Sequence, residues 1–155
     1  MLKIDIPGRG ELMLTTLLLD YNGTIAADGK LIPELIPRIQ KLSEVLDVMV
    51  LTADTYGTVR AECEKHGIQV RTFPRAGAAE CKKEIADSFG SGVCSLGNGW
   101  NDMEMFKSSD LSIAVIDREG MCAALLAHAD VLVTSPVDGL DLLLKPDRLR
   151  ATLRT

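Results

Sequence analysis

The chain has 155 residues and a mass of 16.8 kDa, room for one domain, taken as residues 1–155, that buries about two-thirds of the surface of its unfolded form. With 46% hydrophobic and 25% charged residues and a mean hydropathy of +0.14, it is too apolar for a disordered chain and has no apolar run long enough for a membrane span. A formal net charge of −5, with basic residues scattered except for Lys145, Arg148, Arg150 and Arg154, argues against a nucleic-acid partner.

Leu2 to Ile6 alternates apolar and polar residues and runs into Pro7-Gly8-Arg9-Gly10, which predicts an opening β-hairpin. Glu11 to Leu19 is rich in leucine and threonine and stops abruptly at Asp20-Tyr21-Asn22-Gly23-Thr24. Thr15 and Thr16 break this stretch and no basic segment precedes it, so no export signal is read and a cytoplasmic location is expected. Pro33 and Glu34 suit a first helical turn, and Leu35, Ile36, Ile39, Leu42, Val45 and Leu46 recur at the spacing of one buried helix face. Val48 to Leu51 is a continuous apolar run, as a parallel strand covered on both faces requires, and it ends in Thr52-Ala53-Asp54-Thr55. Thr55 is expected to cap a helix that ends at Gly67.

A strand from Ile68 to Phe73, a helix from Ala78 to Phe89 and a strand from Val93 to Leu96 follow, and the last stops at Gly97-Asn98-Gly99-Trp100-Asn101-Asp102. Met103 to Lys107 reads as a short helix. Strands at Leu111 to Ile116 and Val131 to Val133, with a helix between them and another after Pro136, complete the alternation. Strand alternating with helix implies an α/β fold: a three-layer, doubly wound, Rossmann-like and mostly parallel sheet, preceded here by the N-terminal hairpin. The leucines at 140 and 142–144 are expected in the core or a subunit contact. The cysteines, Cys63, Cys81, Cys94 and Cys122, form no CxxC pair and have only His66 and His128 as companions, so buried reduced thiols are expected rather than a zinc site.

Parallel strands end at one sheet edge, so the loops after Leu19, Leu51 and Leu96 should meet in one crevice, bringing Asp20, Thr52 and Asn98 together. Those residues also carry a resemblance. Asp20-Tyr21-Asn22-Gly23-Thr24 resembles the first motif of the haloacid dehalogenase superfamily, DxDGT or DxxGT. Leu51-Thr52 resembles its second, and Gly97 to Asp102 resembles its fourth, GDGxND. Order and spacing match over nearly the whole chain, most closely to the phosphorylation domain of P-type ATPases and its small soluble relatives.

The resemblance implies a Mg²⁺-dependent phosphatase or phosphotransferase acting on a small phosphorylated substrate or a phosphoprotein. Asp20 would attack phosphorus and form an aspartyl-phosphate. Mg²⁺ would be held by Asp20, the backbone carbonyl of Asn22, Asn98 and Asp102, oxygen donors suited to a hard cation. Thr52 and backbone N–H groups around Asn22, Gly23 and Ala53 would hold the phosphoryl oxygens, with a lysine to balance their charge. Lys82 and Lys83 both stand where that lysine belongs. Adjacent helical residues point about 100° apart, so only one can face the site, and Lys82 better fits the pattern of the relatives.

Two departures stand out. Many phosphatases of the superfamily carry an acid two residues after the nucleophile, and here that position is Asn22. An amide cannot shuttle a proton, a loss worth ~10²–10⁴ in rate, so slow turnover is expected. The fourth motif likewise has Asn98 where a metal-binding aspartate is usual, which predicts weaker Mg²⁺ binding unless Asp102 compensates. Between Thr24 and Pro33 there is room only for a small hairpin turning at Asp28-Gly29, and no cap domain is expected. An open site suits a macromolecular substrate or a neighbouring subunit acting as lid, so a homo-oligomer is one expectation. Trp100 is expected to pack against its own helix, the alternative being the rim of the pocket. Two other readings remain: a non-catalytic phosphate-binding or regulatory module, and a metal-independent haloacid dehalogenase, which would need a cap to shield its carbon centre.

Overall fold

The leucine-rich stretch after Gly10 is not one strand but two, in different sheets. The computed structural model describes residues 1–54 and 57–155. Its strands are β1 (Leu2–Ile6), β2 (Gly10–Leu14), β3 (Thr16–Asp20), β4 (Ala26–Ala27), β5 (Lys30–Leu31), β6 (Asp47–Thr52), β7 (Gln69–Thr72), β8 (Val93–Gly97), β9 (Leu111–Val115) and β10 (Val131–Val133). The α-helices are α1 (Ile36–Ser43), α2 (Thr58–Glu64), α3 (Ala78–Ser88), α4 (Met103–Lys107), α5 (Pro136–Leu144) and α6 (Pro146–Leu153). β1 and β2 form the antiparallel opening hairpin. At Thr15 the chain leaves it, the backbone N–H groups of Thr15 and Thr16 both donating to the Gly92 carbonyl, and β3 enters a second sheet.

That sheet has the order β10-β9-β8-β3-β6-β7, and its pairings are all parallel. β3, β8 and β9 are buried along their whole length because both faces are covered. Successive side chains alternate between the two faces. Leu17 and Leu19 of β3 pack with Ile39 and Leu42 of α1 and Leu140 and Leu143 of α5, whereas Leu18 faces Ile85 and Ala86 of α3 and Met105 and Phe106 of α4. The result is the three-layer α/β architecture expected, with the hairpin added through Ile4 and Ile6. A hydrogen bond from Arg150 Nε of α6 to the Asp5 carbonyl ties the hairpin down.

Several local expectations are corrected. The helix expected from Pro33 begins as a 3₁₀ turn, Pro33–Leu35, and α1 closes at Ser43, which leaves Val45 exposed while Leu46 is buried. The helix expected between β9 and β10 is a 3₁₀ segment, Ala123–His128. The Thr55 cap lies outside the described residues. Leu140, Leu142 and Leu143 belong to the core, and all four cysteines are free, Cys63 and Cys94 being buried. Burial pushes the Cys63 thiol up to about 11. The basic C-terminal group is largely spent internally: Lys145 and Arg148 pair with Asp141, which also takes Arg38, and Arg150 pairs with Asp147. No described helix is long and apolar enough to cross a membrane.

No cap interrupts the sheet among the described residues. Among the described residues, only the hairpin of β4 and β5, two residues each, and the 3₁₀ turn lie between β3 and α1, and only α2 and β7 between β6 and α3. The cleft above the sheet edge is therefore open.

Candidate active site

Because the strands are parallel, Asp20 ends β3, Thr52 ends β6 and Gly97 ends β8 at the same edge. They surround a cleft of about 420 Å³ whose wall includes Asp20, Asn22, Thr52, Ala53, Lys82 and Asn98. α3 reaches it from the neighbouring layer. Its inward face carries Lys82, Ile85 and Ala86, and Lys83, one position on, points to solvent and pairs with Asp87.

Lys82 is 1% exposed and its Nζ lies 2.5 Å from Asp20 Oδ1, 2.6 Å from Asp102 Oδ1 and 3.4 Å from Asn101 Oδ1. All three ammonium donors thus have partners within reach. The second oxygen of Asp20, Oδ2, accepts a hydrogen bond from the Thr24 hydroxyl at 2.9 Å. Both carboxylate oxygens are gripped, one by a cation and one by a neutral donor, which fixes the side-chain orientation.

Burial and the nearby Asp102 carboxylate raise the Asp20 carboxyl to about 6, although Lys82 and Thr24 pull the other way. Burial opposes charge on Lys82, but Asp20 and Asp102 outweigh it and push the ammonium up to about 12.

Asp102 does not face the cleft as a metal ligand would. It is fully buried, and its Oδ2 accepts the backbone N–H groups of Asn98 at 3.1 Å and Gly99 at 2.9 Å while Oδ1 takes Lys82. It holds the fourth-motif loop and Lys82 in place. The approach is so close that a Cβ on Gly97 would lie 2.5 Å from Asp102 Cγ. The expectation for Gly23 is also corrected. Its N–H donates to the Ala26 carbonyl at 2.9 Å and is not free for a phosphoryl oxygen. Gly23 is needed sterically instead: its φ is +78°, and a Cβ there would lie 2.3 Å from Asn98 Nδ2.

Asn98 has a defined orientation. Its Nδ2 donates to the Gly120 carbonyl at 3.0 Å, which leaves Oδ1 facing Thr24 Oγ1 at 3.2 Å, beside Asp20. The donors fit a Mg²⁺ ion in kind, since carboxylate and amide oxygens converge there, but Asp20 is the one carboxylate among the described residues that line the cleft. Among the described residues no three His, Cys, Asp or Glu side chains gather to hold a metal.

Thr52 is buried, and its Oγ1 accepts the Asp54 N–H at 3.2 Å, so the hydroxyl proton can point outward. Trp100 does not pack against its helix. It is 67% exposed at the cleft rim, because the loop is anchored from below through Asp102. Two residues of the site escaped the sequence reading. Thr24 belongs to the first motif, and its hydroxyl four residues after Asp20 was the available signal. Asn101, which lines the cleft and approaches Lys82, gave none beyond its place in the loop.

No family model matches the chain. Among solved structures it is similar to the 3-deoxy-D-manno-octulosonate 8-phosphate phosphatase of Moraxella catarrhalis, a complex with magnesium, phosphate and KDO, at 15% identity and a TM-score of 0.72, covering 91% of this chain and 94% of that one. A cobalt-bound deoxy-D-mannose-octulosonate 8-phosphate phosphatase from Haemophilus influenzae aligns at 13% identity and a TM-score of 0.70, again covering 91% and 94%. A Streptomyces avermitilis protein provisionally placed among HAD family hydrolases aligns at 19% identity and a TM-score of 0.68, covering 86% and 87%. The fold is that of the haloacid dehalogenase superfamily. In sequence the chain belongs with an uncharacterized protein of Methanocaldococcus jannaschii, to which it is 42% identical over 62 residues, 40% of this chain and 67% of that protein.

Proposed function

We propose that the protein is a slow, Mg²⁺-assisted phosphatase or phosphotransferase that forms an aspartyl-phosphate on Asp20. The observation that carries this reading is a nucleophile-type carboxylate at the floor of an open cleft, one oxygen on Lys82 and the other on Thr24, with Thr52 beside it. A magnesium- and phosphate-bound phosphatase and a cobalt-bound one among its structural neighbours support the same direction.

A phosphomonoester would enter with its phosphorus above Asp20. An Asp20 oxygen forms the new P–O bond as the ester P–O bond breaks, and the departing alkoxide takes its proton from water. Thr52 donates its hydroxyl to a non-bridging oxygen, and Lys82 exchanges part of its grip on Asp20 for the developing charge. When bound by Asp20, Asn98 and the Asn22 carbonyl, Mg²⁺ supplies charge neutralisation of the phosphoryl oxygens. Water then attacks phosphorus and releases phosphate, with Asp20 regenerated. Asn22 offers no proton acceptor for that water, so the second step is the slow one.

A second reading, a phosphate-binding or regulatory module, draws support from the amides at 22 and 98, which remove a proton shuttle and a metal charge from the site. The dehalogenase reading loses support from the uncapped cleft.

The test pairs a phosphate-release screen over common phosphoesters, with Mg²⁺ or EDTA, with acetyl-phosphate or beryllofluoride labelling read by intact mass. A Mg²⁺-dependent adduct absent from Asp20→Asn is expected. No turnover and no adduct would leave the binding module, and EDTA-insensitive activity on a haloacid would favour the dehalogenase.

A further inference from the structure

A second cavity of about 440 Å³ adjoins the cleft over Asp20 and shares Asn22, Ala53 and Asn101 as common wall. Its far side is built by Asp54, Thr58 of α2 and Arg75, from the segment between β7 and α3.

The two charged groups there are engaged differently. Asp54 Oδ2 accepts the Val59 N–H at 2.8 Å and the Thr58 hydroxyl at 3.2 Å, so that oxygen serves the start of α2. Arg75 is exposed and has no hydrogen-bond or ion-pair partner among the described residues. Arg60 of α2, by contrast, pairs with Glu64. Arg75 thus keeps a planar fork of five donors at the edge of a cavity that adjoins the one over Asp20, a geometry matched to the two oxygens of a carboxylate or phosphate. At the inner end the charge of Lys82 is already opposed by Asp20 and Asp102, so it adds little attraction for a second anion.

We propose that Arg75 binds a second anionic group, carboxylate or phosphate, on the leaving-group side of the substrate, which makes the preferred substrate a phosphomonoester bearing a further negative charge. This rests on the reading that the phosphoryl group sits at Asp20. The shared wall sets the direction of the ligand, running from Asp20 past Asn22 and Asn101 toward Arg75.

The test uses ligands that cannot turn over. Alkyl monophosphonates, α,ω-alkane bisphosphonates and carboxyalkyl phosphonates of increasing chain length are titrated calorimetrically into the wild type, Arg75→Ala and Arg75→Lys at fixed free Mg²⁺. At one chain length a doubly anionic ligand should bind about tenfold more tightly than its monophosphonate, the size expected of a hydrogen bond between charged groups. Arg75→Ala should remove that difference, and Arg75→Lys should retain part of it. Whether the bisphosphonate or the carboxylate gains more identifies the second anion.

Equal affinities at every length, a gain that survives in Arg75→Ala, or no binding of any of these ligands overturns the proposal. A gain through Arg75 in a protein that releases no phosphate from any ester would uphold the subsite and sink the enzymatic reading. Turnover without the gain would do the reverse.

Discussion

Replacing Lys82 with methionine tests the ionic centre directly. The substitution keeps the length of the buried stem and deletes the ammonium between Asp20 and Asp102. Two carboxylate oxygens held by one nitrogen at 2.5 and 2.6 Å stand no more than about 5 Å apart, a repulsion of about 3 kcal/mol at an effective dielectric of about 20. Removing one partner of a buried ionic group commonly costs about 3–5 kcal/mol, so at pH 8 Lys82→Met should lower the melting temperature by roughly 10 °C in a chain of this size.

The loss should depend on pH with a definite sign. The Asp20 carboxyl is raised in the fold, from 3.8 to about 6, so its ionisation costs stability as pH rises through that window. Without Lys82 that cost grows and extends to higher pH. At pH 5, where Asp20 takes up its proton, the loss should shrink to about half, the remainder reflecting the missing partner of Asp102. Urea denaturation at pH 5 and 8 measures both. Adding Asp102→Asn in the Lys82→Met background should recover most of the pH 8 loss, because one buried carboxylate then remains. An equal loss at both pH values, or no recovery in the double variant, would refute the ionic account.

Three further outcomes follow from the same geometry. Asn22→Asp should raise phosphate release by about 10² or more through restored proton transfer, and Asn98→Asp should tighten Mg²⁺, read by titration of the exposed Trp100 fluorescence; silence in both would refute the account of the two amides. Gly23→Ala should destabilise by about 1–3 kcal/mol, since φ is +78° and the new Cβ meets Asn98, and it should weaken Mg²⁺ binding by displacing that amide, whereas retained stability and affinity would show that the loop relaxes freely. Ser95, fully buried in β8, has a hydroxyl with no hydrogen-bond partner among the described residues. Ser95→Ala should therefore be neutral or stabilising by up to about 1 kcal/mol in urea denaturation, and a clear loss would mean that the hydroxyl has a partner after all.

Much of this architecture is written in one-dimensional patterns. The continuous apolar run at Val48 to Leu51 announced a strand covered on both faces. The three polar stops after Leu19, Leu51 and Leu96 announced one reactive edge, because parallel strands must finish on the same side. Helix geometry allowed only one of Lys82 and Lys83 to face inward, and the resemblance of Ala79 to Lys82 to the relatives' pattern picked Lys82. These features depend on periodicity and order, which a sequence carries explicitly.

What the sequence could not supply depends on distances across the chain. That Asp102 turns both oxygens inward, to Lys82 and to two backbone N–H groups, follows from the tight approach of its loop to Gly97. That Gly23 serves to admit Asn98, rather than to donate to phosphate, follows from two loops 75 residues apart meeting within van der Waals distance. Trp100 is exposed because the loop beneath it is anchored elsewhere, and the proposal for Arg75 rests on its cavity adjoining that of Asp20. Residue type and spacing picked out Asp20, the fold and the amides at 22 and 98. Tertiary packing alone decided which of the remaining polar atoms are already committed and which are left to meet a ligand, since hydrogen-bond capacity is shared among partners that the chain brings together only on folding.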